Sequence, residues 1–150
     1  MKRTKKAKIA DAILISDLHL TDRTPVARTD DYQEAQRRKL EFLRKLSEEN
    51  NNCLILCAGD VFDYWKASPW LCSFAYKYLP EPFICIPGQH DLPGHSLDEY
   101  SKSALGLMDS VGKVYVINDW ENLVVWNNLF IVGVPFGKLD EFEPDKIDFP

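Results

Sequence analysis

Three apolar runs recur in the first part of the chain, and polar side chains follow each of them within two residues. The runs cover residues 12–16, 53–58 and 83–87. Unbroken apolar runs of this length are typical of strands that are covered on both faces, as the strands of parallel sheets are. Amphipathic segments separate the runs, so the pattern predicts the order β-α-β-α-β and a parallel sheet with helices outside it.

The two segments between these runs carry the end signals of helices. Asp30 or Asp31 is a suitable N-cap for a first helix that ends near Glu49. A second helix is predicted to begin at Ser68 and Pro69, an N-cap followed by a proline at the first helical position. The apolar stripes are Leu40, Leu43 and Leu46 with Phe42 alongside in the first helix, and Leu71, Phe74, Ala75, Tyr78 and Leu79 in the second.

A third helix is predicted after the third apolar run. Ser96 and Glu99 form a capping-box pair, and helical spacing continues from there to Gly112. We expect its buried stripe to comprise Leu97, Tyr100, Ala104, Leu107, Met108 and Val111.

The remaining apolar segments predict strands. Residues 114–117 form a short strand, and residues 121–126 and 129–134 flank Asn127-Asn128, a two-residue hairpin signal. We expect these late strands to start a second sheet that packs on the first. The predicted fold class is therefore α/β, with a largely parallel central sheet and outer helices.

Polar side chains follow the three apolar runs, after one intervening glycine in the second and third cases. They are Asp17 and His19 after the first run, Asp60 after the second, and Gln89, His90 and Asp91 after the third. Because the carboxyl ends of parallel strands lie at one edge of a sheet, where open α/β sheets bind ligands, we expect these groups to converge. Alternation along an extended backbone puts the side chains of Asp17 and His19 on the same side, so that both can hold one ion.

This donor set predicts metal chemistry. Carboxylate, amide and imidazole donors suit manganese, iron, zinc or magnesium better than a metal that seeks thiolates. Asp60 has two carboxylate oxygens and can bridge a second ion about 3.5–4 Å away, and such a pair activates a water for in-line attack on phosphorus. His90 is then placed to protonate or stabilise the departing oxygen, with Asp91 as its orienting partner.

Each of these residues also has a structural interpretation. An aspartate after a strand is commonly a helix cap or a turn residue, and a single histidine is usually an ordinary surface or core residue. We interpret Asp63 as a cap or as a neighbour of the metal ligands, and His95 as either a substrate contact or a solvated loop residue. Three segments at one sheet edge favour the metal interpretation.

The three strand-end segments resemble the first three signature motifs of the calcineurin-like metallophosphoesterases. The motifs are Asp17-Leu18-His19, Gly59-Asp60-Val61-Phe62-Asp63 and Gly88-Gln89-His90-Asp91. The resemblance covers roughly residues 9–134. Within the superfamily, residues 59–66 and 88–96 are most similar to phage and bacterial members related to the DNA-repair nuclease subunit SbcD. The resemblance implies an αββα sandwich and a dinuclear site that usually depends on manganese.

The resemblance also implies roles for individual residues. Asp17 and His19 would bind the first metal, Asp60 would bridge, Gln89 would bind the second metal, and His90 would be the catalytic histidine. The third motif usually has asparagine where this chain has Gln89, and the extra methylene displaces the amide oxygen by roughly 1.5 Å. The implied substrate is a phosphoester, with DNA as one candidate, and the implied partner is an SMC-like ATPase.

The histidine count departs from the family pattern. The family supplies further histidines from a later strand end and from a Gly-His-x-His motif, whereas the only histidines here are His19, His90 and His95. We therefore expect residues 9–150 to be the N-terminal part of a longer metallophosphoesterase domain, or a natural truncation, with an incomplete second metal site. Metal binding and catalysis by these residues alone are then expected to be weak.

Composition and charge narrow the class of protein. The 150 residues are 45% hydrophobic and 12% aromatic, which is enough for one domain with a core. The net charge of −5 does not favour a nucleic-acid binder. A carboxylate-lined metal site adds to that acidity, so nucleic acid stays open as a substrate. Residues 1–8 hold five of the 18 Lys and Arg residues and are predicted to form a basic, disordered tail, with DNA contact as the alternative.

Targeting signals and cysteines bear on location. The apolar stretch after the basic start is short and interrupted by Asp11 and Asp17, which disfavours a signal peptide, and no run has the length of a membrane span. Cysteines 53, 57, 72 and 85 lack zinc-type spacing. We interpret them as buried free thiols, which favours a reducing, cytoplasmic location.

Three functions are compatible with this pattern. The leading hypothesis is a metal-dependent phosphodiesterase, and specifically a DNA nuclease. The first alternative is a phosphatase or pyrophosphatase on a small nucleotide or lipid precursor, for which the Tyr64-Trp65 loop offers rings to stack a base or cover an apolar tail. The second alternative is a non-catalytic scaffold with a defective metal site, motivated by Gln89 and the missing histidines.

Overall fold

The central feature of the fold is a parallel sheet of four short strands. The computed structural model describes residues 9–148, so the predicted basic tail lies outside the described residues. The strands pair in the order β1-β2-β3-β4, each parallel to its neighbour. They are β1 (Ala12–Ile15), β2 (Leu54–Cys57), β3 (Phe83–Cys85) and β4 (Tyr115–Val116). The predicted α/β class with a largely parallel sheet is therefore confirmed.

Three α-helices cover one face of this sheet. They are α1 (Tyr32–Glu49), α2 (Pro69–Tyr78) and α3 (Ala104–Ser110), one in each connection between consecutive strands. Right-handed crossovers that always advance in the same direction across a sheet put their helices on the same side. The main core lies in this layer and joins Leu40 of α1, Phe74 of α2 and Leu105 of α3 to the strands.

Helix α1 begins and ends where the sequence predicts. The carboxylate of Asp31 caps it by accepting the amide hydrogen of Glu34. Its buried face differs in part from the predicted stripe: Leu40 and Leu43 are buried, Phe42 is 62% exposed, and Gln36 and Ser47 are buried instead. Both buried polar side chains bond to backbone groups outside the helix, as polar groups in a core must.

Helix α2 also begins at its predicted cap. The hydroxyl of Ser68 accepts the amide hydrogen of Leu71, and Pro69 occupies the first helical position. Burial of Leu71, Phe74, Ala75 and Leu79 follows the predicted stripe, whereas Tyr78 is only partly buried. The cap at Ser68 sets the end of the loop that follows β2.

The prediction of one continuous third helix is wrong, because the structure has two separate helical segments there. Residues Leu97–Lys102 form a 3₁₀ helix, and α3 begins only after Ser103, whose hydroxyl accepts the amide hydrogen of Gly106. The chain leaves helical geometry here because the amide of Ala104 donates to the carbonyl of Trp65 at 2.8 Å. The break changes which face of α3 is buried. Leu107 and Val111 are exposed, and Leu105 is buried in their place.

A β-hairpin covers the other face of the sheet, as predicted. Strands β5 (Val124–Trp126) and β6 (Leu129–Ile131) pair antiparallel across a two-residue turn, with Trp126 opposite Leu129. A second core cluster joins Val124, Trp126 and Ile131 of the hairpin to Leu54, Ile84 and Ile117. Residues 9–148 thus form a helical layer, a parallel sheet and a second sheet, three layers of the predicted αββα sandwich.

The sequence also predicts buried free thiols and no membrane-spanning segment, and the cysteines and helices of the structure bear on these two predictions. Within residues 9–148, all four cysteines are free thiols; Cys53, Cys57 and Cys85 are buried, and Cys72 is partly buried. Burial raises the pKa of Cys57 to about 12, so its thiolate is scarce at neutral pH. Among the described residues, every helix is too short or too polar to cross a bilayer.

Candidate metal centre

Three loops meet at the carboxyl edge of the parallel sheet. They are residues 16–21 after β1, residues 58–63 after β2 and residues 86–91 after β3. Because β1, β2 and β3 are parallel neighbours, their carboxyl ends lie side by side. The predicted convergence of the three strand-end segments is therefore present in the structure.

The first two loops continue the pairing of β1 and β2 beyond the strands. The amides of Asp17, His19 and Leu20 donate to the carbonyls of Gly59, Asp60 and Val61 at 3.2, 3.0 and 2.9 Å. The amide of Asp63 returns a bond to the carbonyl of Leu20 at 3.1 Å. This ladder fixes the first motif against the second.

The backbone of the first motif differs from the extended chain that the sequence predicts. Asp17 and His19 have φ angles of 54° and 45°, and Asp60 has 53°. Left-handed backbone costs free energy for residues with a Cβ atom, and such conformations cluster at functional sites. The side chains of Asp17 and His19 still meet, with Asp17 Oδ1 3.5 Å from His19 Nε2. The predicted convergence is correct, but the extended-strand reason for it is wrong.

Two glycines let the third loop approach the second. A Cβ atom built on Gly88 would lie 2.2 Å from both the amide nitrogen and Oδ1 of Asp60. A Cβ atom on Gly59 would lie 2.8 Å from the Cα of Gly88. Atoms cannot share this space, so glycine is required at both positions for the backbones to touch. The contact lets Asp60 Oδ1 accept the amide hydrogen of His90 at 2.8 Å.

We predict that Gly88→Ala displaces Asp60. Relief of the overlap should cost about 1–3 kcal/mol of unfolding free energy in urea melts and weaken manganese uptake measured by calorimetry. Gly112→Ala is the matched control: a methyl there meets no atom within 4 Å, although its φ is 69°. It should lose stability through backbone strain alone, by about 1–2 kcal/mol, and keep its manganese affinity. Equal affinities for manganese in the two variants would contradict the prediction.

Asp91, the last residue of the third loop, is fully buried. Its carboxylate accepts amide hydrogens from Val61 at 3.2 Å, Phe62 at 2.9 Å and Gly88 at 3.0 Å. Burial raises the pKa of this carboxyl, while the three amide donors oppose that rise. Asp91 thus bonds the second loop to the third. Its predicted contact with the His90 ring is replaced by these three bonds to the backbone.

His90 is oriented by Asp60 and Asp63 instead. Its ring Nδ1 lies 3.0 Å from the backbone carbonyl oxygen of Asp63. A carbonyl only accepts, so Nδ1 carries the hydrogen and Nε2 is left to interact with a ligand. The ring meets that of His19 edge-on, with the centroids 5.0 Å apart.

Two groups of donor atoms lie close enough to hold a metal ion. The ligand atoms of Asp17, His19 and Asp60 lie within 4.8 Å of one another, and so do those of His19, Asp63 and His90. His19 belongs to both groups. The sequence interpretation placed Asp63 at a cap or beside the ligands; its spacing of three residues after Asp60 in the second motif is the signal that marks it as a donor.

Two observations on this structure fit a divalent ion. His19 Nδ1 is buried without a hydrogen bond, and its contact with Asp63 Oδ1 at 3.4 Å lacks hydrogen-bond geometry. A buried nitrogen with no partner is costly unless a ligand satisfies it. A hydrogen bond from the Ser16 side chain lowers the pKa of Asp17, which keeps that carboxylate ionised for a cation. The donors are those that manganese, iron, zinc and magnesium accept.

Gln89 of the third loop and His95, which follows that loop, are both exposed. The backbone carbonyl of Gln89 accepts from Nδ1 of His95 at 3.1 Å. His95 is therefore bonded to the third loop rather than to the donor groups. The role of Gln89 as a ligand of a second metal stays a prediction.

Comparison with known proteins agrees with the fold. The sequence pattern of the calcineurin-like phosphoesterase family matches residues 12–147. The chain therefore belongs to the calcineurin-like phosphoesterases, hydrolases that cleave phosphoester bonds with the aid of metal ions. No curated protein matches the chain.

Proposed function

We propose that the protein is a phosphodiesterase that hydrolyses nucleic acid, with DNA as its substrate, and that it uses a pair of divalent ions. The observation that carries this proposal is the group of donor atoms from Asp17, His19 and Asp60, which lie within 4.8 Å of one another at the carboxyl edge of the sheet. When bound, two such ions supply a deprotonated water and offset the charge of the phosphoryl oxygens. Manganese is the ion that we expect, with iron, zinc and magnesium as alternatives.

The chain's own residues divide the work. Asp17 and His19 would hold the first ion, and Asp60 would contribute to holding both ions. One of its carboxylate oxygens already accepts the amide hydrogen of His90, which fixes the side chain at the site. Gln89 is proposed as a ligand of the second ion. The buried Asp91 positions the loops through its three backbone bonds.

His90 is the proposed proton donor to the departing oxygen. Its amide is tied to Asp60 and its Nδ1–H to the carbonyl of Asp63, so the ring presents Nε2 to the substrate. Nε2 is the ring nitrogen that makes no hydrogen bond within the protein, so its proton is available to the substrate. A positioned general acid that neutralises the departing alkoxide in this way accelerates hydrolysis by about 10²–10⁴-fold.

The proposal of a DNA nuclease, rather than a phosphoesterase in general, depends on the second and third motifs. Residues 59–66 and 88–96 are the segments similar to the SbcD-type repair nucleases, and they include Asp60, His90 and the loop with Tyr64. A DNA nuclease of this type would work with an SMC-like ATPase in the cytoplasm. We retain that partner and that location as predictions.

A substrate panel tests the proposal. The protein is incubated with Mn²⁺ and single-stranded DNA, duplex DNA, a 2′,3′-cyclic nucleotide or p-nitrophenyl phosphate, with EDTA as the control. We expect manganese-dependent cleavage of DNA and a slower reaction of the phosphomonoester. Hydrolysis of the monoester alone would favour the small-molecule phosphatase. Calorimetric titration of the protein from its full reading frame without uptake of Mn²⁺ would favour the scaffold and reject the enzyme.

A further inference from the structure

A cavity of about 380 Å³ opens beside the candidate metal centre. Its walls come from residues 20–23, which follow His19, and from residues 63–64 and 66–69, which begin with the last residue of the second motif. Asp63 belongs to both places, because it lines the cavity and its Oδ1 lies 3.4 Å from His19 Nδ1. A substrate at the metal centre therefore reaches the cavity directly.

Two cationic side chains on the cavity wall have no carboxylate partner. Most Lys and Arg side chains of residues 9–148 form ion pairs, as Arg37 does with Glu34. Arg23 and Lys66 form none, although the carboxylates of Asp22 and Asp63 also line the cavity. Both cations are exposed, so both are free to meet an anion from solution.

The loop that carries Arg23 is held in place by hydrogen bonds to helix α1. The buried amide of Gln36 bonds to both backbone groups of Thr21, accepting its N–H at 2.9 Å and donating to its carbonyl at 2.8 Å. The amide of Arg23 donates to the Thr21 hydroxyl at 3.2 Å. The helix α1 thus holds the backbone under Arg23 in one position, which reduces the entropy lost when a ligand binds.

An aromatic ring lies on the opposite wall. Tyr64 lines the cavity, is 57% exposed and packs at a tilt against Trp65, with the ring centroids 5.5 Å apart. An exposed ring backed by a second ring offers a surface on which a nucleobase stacks, worth about 1–3 kcal/mol per base. The cavity therefore combines two unpaired cations and a stacking surface next to a site for a phosphodiester.

We propose that this cavity binds the nucleotide next to the scissile bond of a nucleic-acid strand. Arg23 and Lys66 contact the flanking phosphate, and Tyr64 stacks on the base. The inference rests on the proposed function and adds the requirement for a second phosphate. Every nucleotide of a strand carries a phosphate, so a strand delivers a second anion beside the first, whereas a simple diester has none.

The test compares two substrates. The protein and the double variant Arg23→Gln/Lys66→Gln are assayed with Mn²⁺ on bis(p-nitrophenyl) phosphate and on a single-stranded oligodeoxynucleotide. We expect KM for the oligonucleotide to rise about tenfold in the double variant, because a phosphate contact is lost, with kcat unchanged. The rate on the simple diester should stay within about twofold. Lys39→Gln is the matched control, since Lys39 is an exposed, unpaired cation on α1 away from the cavity.

A binding measurement separates this inference from the proposed function. Fluorescence anisotropy of a labelled oligonucleotide is recorded without metal at several salt concentrations. The slope of log Kd against log salt should be lower by about 0.7 in the double variant, as for one lost phosphate contact on a single strand. Cleavage of the simple diester by all variants, with no selective change on the oligonucleotide, overturns the inference and leaves the proposed function standing. If neither substrate is cleaved, the proposed function fails. In that case the inference is judged on binding alone, and it is overturned if the protein and the double variant show the same slope of log Kd against log salt.

Discussion

Asp60→Asn is expected to lower the rate of manganese-dependent phosphoester hydrolysis by about a hundredfold or more. The substitution removes the negative charge and one of the two carboxylate oxygens at the position proposed to face both ions. It can keep an oxygen at Oδ1, which accepts the amide hydrogen of His90 at 2.8 Å. The loops should therefore stay folded while metal affinity and kcat both fall, as measured by calorimetry and by initial rates.

The control for Asp60→Asn is Asp11→Asn. Asp11 is exposed and lies just before β1, at the edge of the sheet opposite the candidate centre. The two substitutions change charge and shape identically, so a general effect of net charge would appear in both. Equal rates for Asp60→Asn and the unmodified protein, with manganese uptake retained, would remove Asp60 from the proposed site.

The second large effect is expected at Asp91, and it is an effect on stability. Asp91→Ala should cost about 3 kcal/mol or more of unfolding free energy, because three buried amides lose their acceptor at once. Asp91→Asn should also destabilise the protein. Its side-chain NH₂ group must replace one of the two carboxylate oxygens and would then face an amide donor.

Urea unfolding measures both Asp91 variants, again beside Asp11→Asn. A purely catalytic role for Asp91 predicts a different outcome, in which activity falls and the unfolding midpoint stays the same. A loss below about 1 kcal/mol in Asp91→Ala would show that the three bonds are dispensable. Stability, rather than rate alone, therefore distinguishes a positioning role from a role in proton transfer.

The hydrophobic pattern was sufficient to place most of the candidate site. Apolar runs that end in Asp17, Asp60 and His90 predict one edge of one sheet, because parallel neighbours end together. The N-caps at Asp31 and Ser68 were equally predictable, since a cap bonds to an amide only three residues away. Membership of the calcineurin-like phosphoesterases agrees with the motifs that these runs carry.

Local patterns failed where a distant backbone group decides the conformation. The predicted helix through Ser103 breaks because the amide of Ala104 bonds to Trp65, a residue in another loop. The side chain of Asp91 turns away from His90 because amides about thirty residues earlier, at Val61 and Phe62, bind it. Neither partner has any periodic relation to the residue that it controls.

The sequence by itself determined the class of fold, the succession of strands and helices along the chain and which residue types follow the strands. Only the tertiary structure decided that His19 belongs to two donor groups, that Asp63 joins one of them, and that the first motif adopts left-handed backbone. The physical reason is that strand and helix periodicity records which face of an element is buried. Hydrogen bonds between loops that are far apart in the chain leave no such periodic trace, so they become visible only when the loops are brought together.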